Sequence, residues 1–147
     1  MIIKLKRLLE GFEDVQLPDY KTYGSAGMDI RAAVNEPLII QKGTIGLVPT
    51  NLSVEIPEGY EIQVRPRSGL AINDGIGILN SPGTIDSDYR GEIKIILINL
   101  GQKDFAINRN DRIAQIVLNK VEQIQWTVSE DLDSTERGSG GFGSTGK

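Results

Sequence analysis

The chain has 147 residues, 39% of them hydrophobic and 24% charged, with a net charge of −4. That is enough chain for one domain with a real core, and its acidic balance offers no basic footprint for duplex nucleic acid or an anionic membrane. It contains neither cysteine nor histidine, which removes disulfide scaffolds, the usual zinc sites, cysteine nucleophiles and every catalytic arrangement built on imidazole. An enzyme made from this chain takes a carboxylate as its base, and any metal it uses is a hard one such as Mg²⁺.

In chain order, Met1–Glu10 is broken by charge and has no apolar signal core. The longest apolar run, Ile95–Ile98, is too short to span a bilayer, so the expectation is a cytoplasmic protein. Leu38–Ile40, Thr44–Val48 and Leu52–Ile56 read as short strands. Glu61–Arg65 alternates apolar and polar, as a half-buried strand does. Pro66-Arg-Ser-Gly-Leu70 breaks that strand, and a short helix is predicted over Gly69–Asn73 with Ser68 as its cap. Ile76–Leu79 leads into a predicted hairpin tip at Asn80–Gly83. Glu92–Asn99 and Arg112–Leu118 are longer strands rich in Ile and Val. Many short strands divided by turn signals argue for a sandwich or barrel. Past Trp126 the periodicity fades, and Ser129–Glu136 is acidic and polar.

Several segments carry chemistry. Arg67, Ser68 and exposed backbone N–H groups make a phosphate clamp, or simply a helix start with a surface arginine. Asn80–Gly83 exposes backbone donors and acceptors able to read the edge of a base. Asp86 and Asp88 follow it, and on a strand they would share a face, where like charges can raise a pKa and suit a general base. Ser25-Ala-Gly-Met-Asp29 is a small-residue approach to a lone acid, and Asp111-Arg-Ile-Ala-Gln115 opens another strand. The last segment, Arg137–Lys147, is glycine-rich around Phe142. It reads either as a linker or as a wrap for a polyanion, with Phe142 offering a flat face to a planar base.

In order, Ala-Gly-x-Asp-Ile, Pro-Arg-Ser-Gly-Leu, Gly-Thr-Ile-Asp-Ser-Asp-Tyr-Arg-Gly, Asp-Arg-Ile-Ala-Gln and Arg-Gly-x-Gly-Gly-Phe-Gly-Ser-Thr-Gly closely resemble the five motifs of the trimeric dUTPase family, from about Leu17 to the C-terminus. One departure is Asn110, where that family usually has glycine; Asn tolerates the left-handed backbone better than most residues.

The resemblance implies an all-β, jelly-roll-like β-barrel with at most one short helix: residues 1–128 as the catalytic domain and 129–147 as a flexible arm that closes over an active site. It implies a homotrimer whose sites draw on all three subunits, hydrolysing dUTP to dUMP and pyrophosphate with Mg²⁺. Such an enzyme limits uracil incorporation into DNA and supplies dUMP for thymidylate synthesis. No stable nucleic-acid or membrane partner is expected. The roles implied are Asp86 as general base, with Arg67 and Gln115 beside it as catalytic residues. Ser68 and Gly69 take phosphate oxygens. Asn80, Thr84 and Ile85 line the uracil site, Tyr89 lies against the deoxyribose, and Lys94 is a further substrate contact. Asp29 holds Mg²⁺ through its water shell. Arg137, Gly143, Ser144 and Thr145 reach the γ-phosphate side while Phe142 stacks on uracil. Two alternatives stay open: a dCTP deaminase-like enzyme of the same superfamily, told apart by ammonia release, and a nucleotide-binding module without hydrolysis.

Overall fold

A computed structural model describes residues 1–141. The described residues form eleven strands and one helix: β1 (Lys4–Arg7), β2 (Met28–Arg31), β3 (Leu38–Ile40), β4 (Ile45–Pro49), β5 (Leu52–Glu55), β6 (Tyr60–Arg65), α1 (Ser68–Asp74), β7 (Ile76–Ile78), β8 (Gly83–Ile85), β9 (Lys94–Asn99), β10 (Phe105–Ile107) and β11 (Arg112–Lys120). All pairings are antiparallel. They build a four-stranded sheet, β2-β11-β6-β8, a three-stranded sheet, β4-β9-β7, and two ribbons, β1-β5 and β10-β3. The all-β, jelly-roll-like class with one short helix is as expected, realised among the described residues as four separate sheets rather than one closed one.

The alternation of β6 and β9 places Ile62, Val64, Ile95 and Leu97 inward. They join Ile30, Ile40, Val48, Ile76, Ile107 and Ile113 in a β-branched core, which suits side chains already restricted at χ1. The one fully buried amide of the core is satisfied: Asn99 Nδ2 donates to the carbonyls of Ile40 and Lys103 at 2.9 and 2.8 Å, and Gly101 N–H donates to its Oδ1 at 2.9 Å. A second cluster ties down the N-terminal loop. Arg109 lies over the Phe12 ring, 4.3 Å from its centroid. It donates to Asp14 at 2.5 Å and to the Gly11 carbonyl, and Arg7 donates to the carbonyls of Phe12 and Val15.

Several expectations need correction. Arg67, not Ser68, is the N-cap of α1, and no side chain caps it; Ser68 is already helical. Asn80–Gly83 is not a hairpin tip, because β7 pairs with β9 while β8 pairs with β6. The segment instead crosses from one sheet to the other, through a cis Ser81–Pro82 bond. Asp86 and Asp88 sit in the turn after β8, not on a strand, so the shared-face argument does not apply to them. β1, β2 and β10 had no strand signal strong enough to register; Lys-Leu-Lys-Arg and Met-Asp-Ile-Arg become strands through their partners β5 and β11. Asn110 does adopt a left-handed φ, of 69°, and its side chain accepts from Gln16 N–H at 3.0 Å. Beyond Lys120, through Gly141, no residue joins a strand or helix, and residues 121–139 are exposed. Regular structure therefore ends before Trp126.

Candidate active site

Beside β8 and β9 opens a cavity of about 320 Å³, lined among others by Asn80, Thr84, Ile85, Asp86, Tyr89 and Lys94. Six of the residues singled out in the sequence thus share one concavity. Its floor is apolar, because β8 and β9 turn Ile85, Ile93 and Ile95 inward, and its rim is polar. Asn80 packs over Gly83: a Cβ there would lie 3.2 Å from Asn80 Nδ2 and 3.3 Å from Val64 Cβ. Asp86 is exposed, and its carbonyl accepts the Tyr89 N–H at 3.2 Å, closing a turn that presents the carboxylate at the mouth. Arg90 staples the same turn, donating to the carbonyls of Ser87 and Tyr89 at 2.6 and 2.9 Å. Lys94 pairs with Glu92 at 3.5 Å, and Glu92 also accepts the Asn51 N–H at 2.8 Å. An apolar slot with a few convergent polar groups is what a planar, hydrogen-bonding ligand requires.

A second cluster is ionic. Asp29, on β2, is 17% exposed at its side chain; one oxygen accepts from Arg67 Nε at 3.1 Å and the other from Arg112 at 3.0 Å. Arg67 also donates to the Arg112 carbonyl at 2.9 Å. Gln115 faces Asp29 across the β2–β11 ladder and donates to the Pro66 carbonyl at 2.9 Å, holding the chain just before Arg67 and Ser68. The small residue at Gly27 makes room for it, since a Cβ there would lie 2.9 Å from Gln115 Oε1.

Strand β6 sets the distance between the two clusters. Ile85 pairs with Ile62, so Asp86 stands level with the start of β6, whereas Arg67 and Ser68 follow its end at Arg65. Six residues of extended chain span about 20 Å. One chain therefore does not bring Asp86 to Arg67, Ser68, Gly69 and Gln115; it holds the carboxylate and the arginines at opposite ends of a strand, with the slot running along it as far as Val64.

Asp29 offers no free oxygen to a bare cation. Both its oxygens are held by guanidinium groups, and the trio Asp29, Arg67 and Arg112 carries a net positive charge, which favours an anion. Among the described residues, no three acidic side chains come together as a cation cage. The expected role of Asp29 toward Mg²⁺ is one through water and a triphosphate, not direct ligation.

Sequence reasoning missed Arg112, Glu92 and Gly27. Arg112 was visible only as a surface charge, and its partner Asp29 lies 83 residues away in sequence. Arg137 lies in the segment after Lys120, its Nε donating to the Gly140 carbonyl at 2.8 Å and remote in sequence from both clusters. Phe142, Gly143, Ser144 and Thr145 lie outside the described residues.

Comparison with known proteins agrees along nearly the whole chain. The dUTPase family model matches residues 13–146. A Fusobacterium nucleatum protein named deoxyuridine 5'-triphosphate nucleotidohydrolase is 61% identical over 135 residues, covering 92% of each chain. A Rickettsia bellii protein of the same name is 56% identical over 144 residues, covering 98% of this chain and 95% of its own. The Staphylococcus bacteriophage 80alpha dUTPase, solved with dUPNHPP, superposes with a TM-score of 0.88 at 25% identity, covering 99% of both chains. With the motifs, the strand order and the paired part-sites in place, the chain belongs to the dUTPase family.

Proposed function

We propose that this chain is a dUTP diphosphatase that hydrolyses dUTP to dUMP and pyrophosphate. The observation that carries the reading is the arrangement along β6: a base-sized slot beside the strand, with a carboxylate at its mouth towards one end and an arginine-rich anion site past the other. In this reading the slot holds uracil. Asn80 and the backbone of Thr84–Asp86 supply the donors and acceptors that separate uracil from cytosine. A close fit at C5 rejects the thymine methyl. Tyr89 stands against the deoxyribose, and Lys94 at the rim offers a cation.

Asp86 orients and deprotonates the attacking water, a role that suits an exposed carboxylate free to meet solvent. Arg67, Arg112 and Ser68 take phosphate oxygens and the charge that develops on the leaving pyrophosphate. Asp29 and Gln115 position them, the first through both guanidinium groups and the second through the Pro66 carbonyl. Mg²⁺ enters as part of the substrate, carried by the triphosphate, in keeping with its reluctance to shed water for a protein cage.

Because one chain cannot bring its two part-sites together, the complete site forms between copies, with Asp86 from one and Arg67 from another. A homotrimer provides three such junctions. The arm beginning after Lys120, with Arg137 and the Phe142–Thr145 segment, closes over a neighbour's site.

The test is incubation with dUTP, dTTP, dCTP and UTP, each with Mg²⁺, followed by pyrophosphate and ammonia. Pyrophosphate from dUTP, far ahead of the other three, is the expected result. Ammonia from dCTP would point to a deaminase, and binding without either product to a nucleotide-holding module.

A further inference from the structure

Tyr89 is 45% exposed, so core packing does not hold its ring in place. Three local features do. Its N–H donates to the Asp86 carbonyl at 3.2 Å. Its hydroxyl donates to the Glu92 carbonyl at 2.9 Å. Between those anchors the hydroxyl end of the ring crowds Gly91: a Cβ at that position would stand 2.5 Å from Cζ and 2.9 Å from Cε2, and closer still to Oη.

Gly91 is not required by the backbone. Its φ lies outside the left-handed region, unlike Gly43, Gly59 or Gly75, so alanine can adopt the same conformation. The three nearest atoms that a Cβ at 91 would meet all belong to the Tyr89 side chain. Glycine at 91 is there for the ring, and the ring lines the cavity.

We propose that Gly91 is a specificity-determining position for the reaction: by leaving room for the Tyr89 ring, it sets where the sugar-facing wall of the slot stands. This rests on the reading of Tyr89 as that wall. A methyl group at 91 must push the ring from 2.5 Å to at least the 3.4 Å of ordinary contact, and the Glu92 carbonyl then loses its donor. A ring so displaced no longer occupies the space that a 2′-hydroxyl needs.

The experiment measures kcat/KM for dUTP and UTP in the parent, Gly91→Ala, Tyr89→Phe, Tyr89→Ala and the double variant Gly91→Ala/Tyr89→Ala, with melting temperatures alongside. Gly91→Ala should lower the dUTP/UTP preference at least tenfold with little change in melting temperature. Tyr89→Phe keeps the ring over Gly91 and should lower it only a few-fold. In the Tyr89→Ala background, Gly91→Ala should leave the ratio unchanged. An NMR readout reports the ring seat without turnover: nuclear Overhauser contacts should join the Gly91 Hα protons to the Tyr89 ring in the parent. Four results would overturn the proposal. They are an unaltered ratio in a folded Gly91→Ala, effects of the two alanine substitutions that multiply in full, no Gly91–Tyr89 contact in the parent, or a parent that uses UTP as readily as dUTP. The last strikes at the sugar-wall reading itself, and the Gly91–Tyr89 contact separates it from a misplaced ring.

Discussion

The slot and the arginine cluster are held by different physics. In the slot, position is fixed by backbone and packing: Gly83 under Asn80, Gly91 under Tyr89, and a floor of isoleucines. In the cluster, position is fixed by charge: Asp29 between Arg67 and Arg112, with Gln115 on the Pro66 carbonyl. In the proposed reading the slot tells bases apart, and steric walls do that at any ionic strength. The cluster, in the same reading, grips a flexible, highly charged chain, and guanidinium groups do that at the cost of sensitivity to salt. Selectivity and grip are then separable by experiment.

The contrast breaks most sharply at Asp86. Asp86→Asn should retain dUTP binding and lose about 10²–10⁴-fold in turnover, the usual cost of removing a positioned general base; near-parental turnover would move the role elsewhere, with Asp88 the first suspect. Mixing Asp86→Asn chains with Arg67→Ala chains tests whether the ends come from different copies. After verified subunit exchange, junctions that pair an intact Asp86 with an intact Arg67 should restore part of the activity, and a mixture as dead as its components would place both residues in one chain's site.

Deleting residues 138–147 should lower turnover on the order of 10²-fold, as expected for removing anion contacts and a lid. The melting temperature without ligand should hardly move, since this glycine-rich segment has little apolar surface to bury. A large drop in melting temperature would make the segment a structural strap.

Asp29→Asn sharpens the contrast further. It removes the negative charge and one of the two acceptor oxygens, leaving one arginine without its partner, at a cost of about 1.5–3 kcal/mol for a hydrogen bond to a charged group. The KM for dUTP should rise by roughly tenfold, the equivalent of about 1.4 kcal/mol, and become more sensitive to salt. Gly83→Ala, at the slot end, should instead change base preference with no change in salt dependence. Equal salt slopes in the two variants would erase the distinction.

The smallest effect lies away from both ends. The hydrogen bond from Arg109 holds the Asp14 carboxyl below the usual carboxylate range, against a weaker opposing effect of desolvation. The folded pKa is thus below the unfolded one, so the stabilisation is present above about pH 4 and fades as the pH falls through the lower folded value. Parent and Asp14→Asn should differ slightly in melting temperature at neutral pH and converge in acid. A gap that widens in acid would reverse the sign.

Local chemistry was legible in the sequence, and pairing was not. The strand over Glu61–Arg65, the helix after Pro66 and the left-handed Asn110 each depend on residues within a turn of one another, and they stand as read. The crossing at Asn80–Gly83 was misread because a hairpin and a sheet-to-sheet connection share the same turn residues. Only the distant partners, β6 and β9, decide between them. The ion pairs of Asp29 were hidden for the same reason. A lone acid gives no sign of the two arginines that fold onto it, one from the segment after β6 and one from β11. The motifs named most of the participants, but the distance that separates them along β6 exists only once the register is known.

One close approach has a consequence for engineering. Helix α1 buries none of its residues, yet its far end is seated firmly. A Cβ on Gly75 would lie 2.6 Å from the Gly101 nitrogen, one on Gly101 would overlap the Asp74 carbonyl, and Leu100 N–H donates to the Gly75 carbonyl at 2.9 Å. The helix is held to the body by backbone at its far end and by the Leu70 side chain, which packs against the core. In a saturation library, its exposed positions Ala71, Ile72 and Asn73 are therefore open ground for tags, charge changes or solubilising substitutions. Residues 75 and 101 form an interlocked pair that accepts no side chain on either partner, and a designer who wants to retune the segment carrying Arg67 and Ser68 has the whole outer face of the helix to work with, provided those two glycines are left alone.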